Sequence, residues 1–261
     1  MRPNPLRESI RSDSPALGVW LSTPSPITTE VVGRLGFDYA CIDMQHGLIG
    51  YADAVLMLQA LTLSSTTPTV RVPWNEPGII GKVLDAGAMV VVVPMVNTKE
   101  EAEQAVQRGM YPPLGSRSSG PIRVQPVHGA HYAEVANEHI QIIPMIETVE
   151  ALGNIDDILS VEGVDAIYVG PMDLGVSMGL GRGTTDPSFL DALDLIVERC
   201  REHGVIPGIH ASPEAAQDRL DRGFRMVTVQ SDLTAMTVGL REALAAGRGG
   251  AVDDGGAPNG Y

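Results

Sequence analysis

Four short segments carry side chains able to do chemistry if the fold gathers them. Asp43-Met44-Gln45-His46-Gly47 sets an imidazole three residues after a carboxylate. A carboxylate that orients a histidine raises its basicity and gives a general base near neutral pH; the plainer alternative is a loop histidine bonded to backbone. Val70-Arg71-Val72-Pro73 puts a guanidinium at the end of an apolar run. A buried arginine needs an anion, which is either a substrate carboxylate or enolate, or a structural partner such as Asp43 or Glu147. Ile146-Glu147-Thr148 and Gly170-Pro171-Met172-Asp173-Leu174 supply two carboxylates. Completed by water and substrate oxygens, they suit a hard divalent ion such as Mg²⁺ or Mn²⁺. The competing reading makes Glu147 a helix cap and Asp173 a turn former. Amides after Gly170-Pro171 add donors for an anionic ligand.

Other chemistries fit poorly. Cys41 and Cys200 are isolated and no HExxH occurs, so no zinc pattern is present. Gly115-Ser116-Arg117-Ser118-Ser119-Gly120 looks like a phosphate cradle but lacks the Lys-Ser/Thr of a P-loop. Lys82 and Lys99 fall in helical patterns, which disfavours a Schiff-base lysine at a strand end. His210 also ends an apolar run, with no role assigned by its neighbours; His128 and His131 read as surface residues.

The elements that position these groups are eight apolar runs: 16–21, 37–42, 69–72, 88–93, 140–146, 164–169, 205–209 and 225–229. They are continuous rather than alternating, as expected of strands buried on both faces of a parallel sheet. Helical spacing fills the gaps at 51–63, 98–108, 150–160, 187–203, 213–222 and 233–246, and Gly36, Gly87, Gly109, Gly204 and Gly223 stop helices. Eight strand–helix units predict a closed (β/α)₈ barrel spanning 1–246, with a doubly wound open sheet as the alternative. In a barrel, residues at the C-terminal strand ends ring one mouth, which is where all the candidates fall. The stretch 110–137 reads as a long functional loop, and 247–261 as a disordered Gly-rich tail.

Composition narrows the partners. Acidic residues number 32 against 18 basic ones, a formal net charge of −14, which repels phosphate backbones and anionic lipid; neither nucleic acid nor membrane is expected. No apolar run reaches the roughly 20 residues of a membrane span, and no apolar segment follows the arginines near the start, so a secretory signal is not expected. Two separate thiols suit a reducing compartment, and a cytoplasmic location is expected. Aromatics are only 4%, so aliphatic residues must build the core.

Together these segments resemble the HpcH/HpaI aldolases, metal-dependent class II aldolases acting on pyruvate-derived 2-oxo acids. The resemblance also rests on Leu84-Asp85-Ala86-Gly87-Ala88, Val93-Pro94-Met95-Val96 and Tyr111-Pro112-Pro113-Leu114-Gly115, and runs from about residue 17 to 245. It implies a hexamer built as a trimer of dimers, with a C-terminal helix exchanged between subunits. It implies that Glu147 and Asp173 hold the metal (Mg²⁺ or Mn²⁺, with Co²⁺ a third candidate). It places Arg71 on the carbonyl oxygen and gives proton handling to His46, oriented by Asp43. Gly170, Pro171, Asp173 and Leu174, with Gln45, would surround pyruvate, and Asp85 would approach a neighbouring subunit's site.

The implied reaction is reversible cleavage of a 4-hydroxy-2-oxo acid to pyruvate and a small aldehyde. Oxaloacetate decarboxylation or another enolate transfer on the same site is the alternative, and a catalytically inactive pyruvate-binding barrel a third. The chain departs from the common pattern at Gln45 (often Glu), Met145 (often Gln), Ser118 after Arg117 (often Gly) and Gly175 (usually Ser). None of these removes a metal ligand, Arg71 or His46.

Overall fold

The computed structural model describes residues 4–12 and 14–249, apart from the side chains of Ile10 and Arg11. Eight parallel strands, β1 (Ala16–Leu21), β2 (Tyr39–Asp43), β3 (Thr67–Arg71), β4 (Val90–Val93), β5 (Gln141–Ile146), β6 (Ala166–Val169), β7 (Ile206–His210) and β8 (Met226–Ser231), close into a barrel in sequence order. This is the (β/α)₈ architecture, and the open sheet is excluded. No described helix is long and apolar enough to cross a membrane.

Side chains on a strand alternate between faces, and that period sorts the chain into two cores. Val70, Val91, Ile142, Ile146, Ile167, Ile209 and Val227 pack outward beneath the helices. Trp20, Tyr39, Cys41, Val90, Val92, Ile143, Met145, Tyr168 and Met226 pack together in the barrel interior. Two residues beyond the interior positions Cys41, Thr69, Met145 and Gly208 come Asp43, Arg71, Glu147 and His210. The polar groups at the mouth are therefore the continuation of the interior rows. Pairing of Asp43 with Arg71 across β2 and β3 puts those two side by side.

Helix Pro5–Arg11, absent from the sequence reading, closes the other end. Its Leu6 is fully buried against the barrel interior, and the Leu6 N–H donates to Thr67 Oγ1 at 3.2 Å. Two further expectations need correction. The helix expected at 150–160 is two, Val149–Gly153 and Ile155–Leu159, broken at Asn154, whose side chain donates to the Asn97 carbonyl at 2.9 Å. The long loop at 110–137 contains the helix Val124–His128 and most of Tyr132–His139. A small core of Tyr111, Val124, Tyr132 and Ala136 holds it. The last helix, Asp232–Gly247, has no buried residue; of the expected disordered tail, 250–261 lie outside the described residues.

Candidate active site

A pocket at the C-terminal mouth is lined by Trp20, Arg71, Met145, Glu147, Tyr168, Gly170, Pro171, Met172, Asp173 and His210. It gathers five of the expected site residues: Arg71, Glu147, Gly170, Pro171 and Asp173. A larger groove at the surface, between helices Pro5–Arg11 and Tyr132–His139, contains none of them.

Arg71 is buried and held by a two-point ion pair. Its Nε donates to Asp43 Oδ1 at 2.9 Å and its Nη2 to Asp43 Oδ2 at 2.6 Å. Burial alone would push the Asp43 carboxyl up, but these bonds and the Arg71 charge hold it below its usual range. The guanidinium carbon also lies 5.1 Å from the centre of the Trp20 ring, a cation–π contact in a desolvated setting. Asp43 thus braces Arg71. Asp43 Oδ1 also accepts the backbone N–H of Gln45 at 3.0 Å and of His46 at 3.3 Å, so the same carboxylate fixes the loop that carries His46. Gly47 makes that turn possible, since a Cβ there would lie 2.3 Å from the Asp43 carbonyl oxygen.

Glu147 is buried and its Oε1 accepts the Met95 N–H at 2.7 Å. Met95 has φ +56, a left-handed conformation that a side-chain-bearing residue adopts at some energetic cost. The backbone donor is therefore aimed at the carboxylate against local preference. Burial drives the Glu147 carboxyl above its usual range, and the nearby Asp173 charge adds to this; the Met95 N–H and Arg71 oppose it. Asp173 sits in the first turn of helix Pro171–Ser177. A Cβ at Gly170 would come within 2.5 Å of Glu147 Oε2, so only glycine leaves that oxygen room.

This donor set fits a divalent cation. Two adjacent carboxylates, one buried, carry charge that Arg71 cannot fully offset because its own charge is paired with Asp43. Among the described residues no group of three or more His, Cys, Asp or Glu is arranged so that it could hold a metal ion by itself. The protein would supply two hard oxygen ligands and leave the rest to water and substrate, as Mg²⁺ sites commonly do.

The remaining expected residues stand further out. His46 is exposed on the loop after β2 and Gln45 is half-buried there. Leu174 is fully buried in the outer core and its N–H donates to the Gly170 carbonyl at 2.9 Å, so it supports the helix start. Asp85 receives Arg117 Nη2 at 2.5 Å within its own chain. Arg117 is buried, 4.5 Å from the Tyr111 ring centre, and locks the 110–137 segment to Asp85. Trp20 and Tyr168 were missed as site residues. Both read as ordinary core residues in apolar runs, and only the inward phase of their strands marks them out.

The comparisons with known proteins agree with this geometry. The HpcH/HpaI aldolase/citrate lyase family profile matches residues 16–237. The chain is 38% identical over 248 residues to a hydroxypyruvate/pyruvate aldolase of Rhizorhabdus wittichii, covering 94% of this chain and 99% of the relative. It is 38% identical over 234 residues to a 5-keto-4-deoxy-D-glucarate aldolase of Escherichia coli, covering 88% and 91%. A crystal structure of an HpcH/HpaI aldolase/citrate lyase family protein from Burkholderia cenocepacia superposes with a TM-score of 0.89 at 30% identity, covering 94% and 99%. Aldolases 38% identical over most of the chain, matched on a closed parallel barrel with acidic groups and one braced arginine at its mouth, make this protein a carbon–carbon lyase of the aldehyde-lyase type. The chain belongs to the HpcH/HpaI aldolase/citrate lyase family.

Proposed function

We propose that this lyase reversibly cleaves a 4-hydroxy-2-oxo acid to pyruvate, or a close analogue, and a small aldehyde. One observation carries the reading: Arg71, Glu147 and Asp173 line the same pocket. A divalent cation (Mg²⁺ or Mn²⁺, or Co²⁺) held by Glu147 and Asp173 would supply Lewis-acid stabilisation of the developing enolate. The relatives named for hydroxypyruvate/pyruvate and for 5-keto-4-deoxy-D-glucarate support the substrate class.

In cleavage the C4 hydroxyl loses its proton, C4 becomes the aldehyde carbonyl, and the C3–C4 electron pair moves to the C2–C3 unit. Arg71 presents positive charge to the oxyanion that forms at C2, and Asp43 prevents it from swinging away, so little reorganisation is needed during reaction. Gly170 and Pro171 shape the floor against which the three-carbon fragment lies. His46, exposed on the loop after β2, is the proposed proton acceptor for the C4 hydroxyl, directly or through one water. Enolate chemistry is testable without knowing the aldehyde. Pyruvate incubated with the protein and Mg²⁺ in heavy water is expected to exchange its methyl protons, and chelator is expected to stop it. Absence of enzyme-dependent exchange, or exchange undiminished by chelator, would reject the assignment.

The active unit is proposed to be a homo-oligomer, a trimer of dimers. Helix Asp232–Gly247 exposes Leu233, Met236, Val238, Leu240 and Leu244, an apolar load that monomers seldom leave uncovered. A second copy is the proposed cover, in line with exchange of the C-terminal helix. Sedimentation at micromolar concentration should give a mass several times 27.7 kDa; a monomer would refute this.

A further inference from the structure

The loop 94–98, between β4 and helix Lys99–Gly109, closes a ring of hydrogen bonds around Glu147. The Met95 N–H donates to Glu147 Oε1 at 2.7 Å. The Met95 carbonyl accepts Asn97 Nδ2 at 3.4 Å. Asn97 Oδ1 accepts the hydroxyl of Thr148, the residue that follows Glu147 in the chain. Glu147 is thus tied at two points, through one carboxylate oxygen and through its own main chain. The residue at 97 must carry both a donor and an acceptor to complete the ring. Turned the other way, the Asn97 amide would set its oxygen against the Met95 carbonyl, two acceptors face to face.

The backbone of Asn97 is anchored without help from its side chain. Its N–H donates to Glu101 Oε2 at 2.6 Å, and its carbonyl accepts Asn154 Nδ2 at 2.9 Å. Val96 beside it is fully buried in the outer core. The two side-chain bonds therefore serve the ring more than the fold of the loop. Met95 needs them, because its left-handed backbone, φ +56, is a conformation that a side-chain-bearing residue holds only when its surroundings enforce it. Asn97 grips the carbonyl of Met95 while the N–H of Met95 points at Glu147.

The ring has a consequence for the carboxylate. Oε1 is committed to Met95, and Oε2 lies on the side where Gly170 leaves room. A carboxylate held in this way offers a cation one oxygen. Small ions with strict octahedral geometry accept single oxygens and complete their shells with water, whereas Ca²⁺ takes about six to eight oxygens and often both from one carboxylate.

We propose that Asn97 is a positioning residue for the cation site. With Met95 and Thr148 it restricts Glu147 to one free oxygen and thereby selects Mg²⁺ or Mn²⁺ over Ca²⁺. This rests on the cation proposed above at Glu147 and Asp173, and adds what sets its size preference.

The test is a titration of the metal-free protein with Mn²⁺, without substrate, read by the paramagnetic resonance of free Mn²⁺ and repeated with Ca²⁺ as competitor. The wild-type protein is expected to bind Ca²⁺ about tenfold or more weakly than Mn²⁺. Asn97→Ala keeps both backbone anchors and is expected to weaken Mn²⁺ binding by about tenfold or more, as loss of a residue that orients a ligand does. Ca²⁺ binding should fall by less than about threefold, because a released Glu147 can offer both oxygens, so the ratio narrows. Thr148→Val opens the ring at a different bond, should narrow the ratio in the same way, and serves if the asparagine variant does not fold. Thr148→Ser keeps the hydroxyl and should retain the wild-type ratio. Asn154→Ala loosens the same loop outside the ring, and should lower the melting temperature without moving the ratio. A wild-type protein that does not prefer Mn²⁺, a ratio unchanged in folded Asn97→Ala or Thr148→Val, or an equal narrowing in Asn154→Ala would overturn this role of Asn97 and leave the metal-dependent reading intact. A wild-type protein that binds no Mn²⁺ would remove that reading, and this inference with it.

Discussion

Glu147→Gln is expected to abolish metal-dependent turnover while making the metal-free protein more stable. The two effects have one cause. Glu147 is a buried carboxylate with a single backbone hydrogen bond and a second carboxylate nearby, and its carboxyl is held above the usual range. The native state therefore binds this proton more tightly than the unfolded chain does. By linkage, stability of the metal-free protein falls as pH rises from the unfolded carboxyl range through the raised native one, and the full penalty is present at neutral pH. Glutamine keeps a carbonyl oxygen for the Met95 N–H and carries no charge. We expect the metal-free variant to gain on the order of 1–3 kcal/mol at pH 7. Loss of the cation removes several kcal/mol of enolate stabilisation, about a thousandfold or more in rate. Thermal melts with and without Mn²⁺ check both halves. The wild type should melt higher with metal and the variant should not respond. A metal-free variant that melts below the metal-free wild type, or retains the metal response, would contradict this account. For the same reason metal affinity should weaken on acidification, as Glu147 takes up its proton.

The barrel was legible because its strands are buried on both faces, leaving eight nearly unbroken apolar runs that end in polar residues. The phase of those strands was less visible. In a run such as Ala16–Leu21 every position is apolar or glycine, so nothing in the residue types says that Trp20 faces the axis and Leu21 the helices. Closure of the barrel decides it, and with it the membership of Trp20, Tyr168 and His210 in the pocket. The partner of Arg71 was open between Asp43 and Glu147 for a similar reason. Strand register selects Asp43 on the adjacent strand, whereas Glu147 lies just past β5, two strands away from β3. Proline and glycine in 110–137 masked helices that depend on tertiary support from Tyr111 and Tyr132 rather than on their own propensity. Leu6 shows the limit most clearly: its helix is polar and short, and only the open end of a barrel gives one leucine a reason to fold against it.

Asp43→Ala is expected to cost about 3–5 kcal/mol, because it strands a buried guanidinium. The pair is enclosed, with side chains 4% and 1% exposed for Arg71 and Asp43, so solvent cannot take over the charge. The contribution has a definite pH dependence. The Asp43 carboxyl is depressed in the native state, so its stabilisation is present above the unfolded carboxyl range and is lost as pH falls through the depressed native value. The double variant Asp43→Ala/Arg71→Met removes both charges and should recover much of the loss, since apolar replacement of a buried ion pair is often close to neutral. The same logic predicts a separate effect on the metal site. Arg71 already lowers the Glu147 carboxyl through its charge. Released from Asp43, it would turn toward Glu147 and compete with the cation, so Asp43→Ala should weaken Mn²⁺ binding although Asp43 is no ligand. In the double variant, with no guanidinium to compete, Mn²⁺ affinity should return while enolisation stays absent. Denaturant unfolding and Mn²⁺ titration of the wild type and the two variants separate these effects. A single variant within about 1 kcal/mol of wild type, or a double variant no more stable than the single, would show that Asp43 does not brace Arg71 in the way its hydrogen bonds indicate.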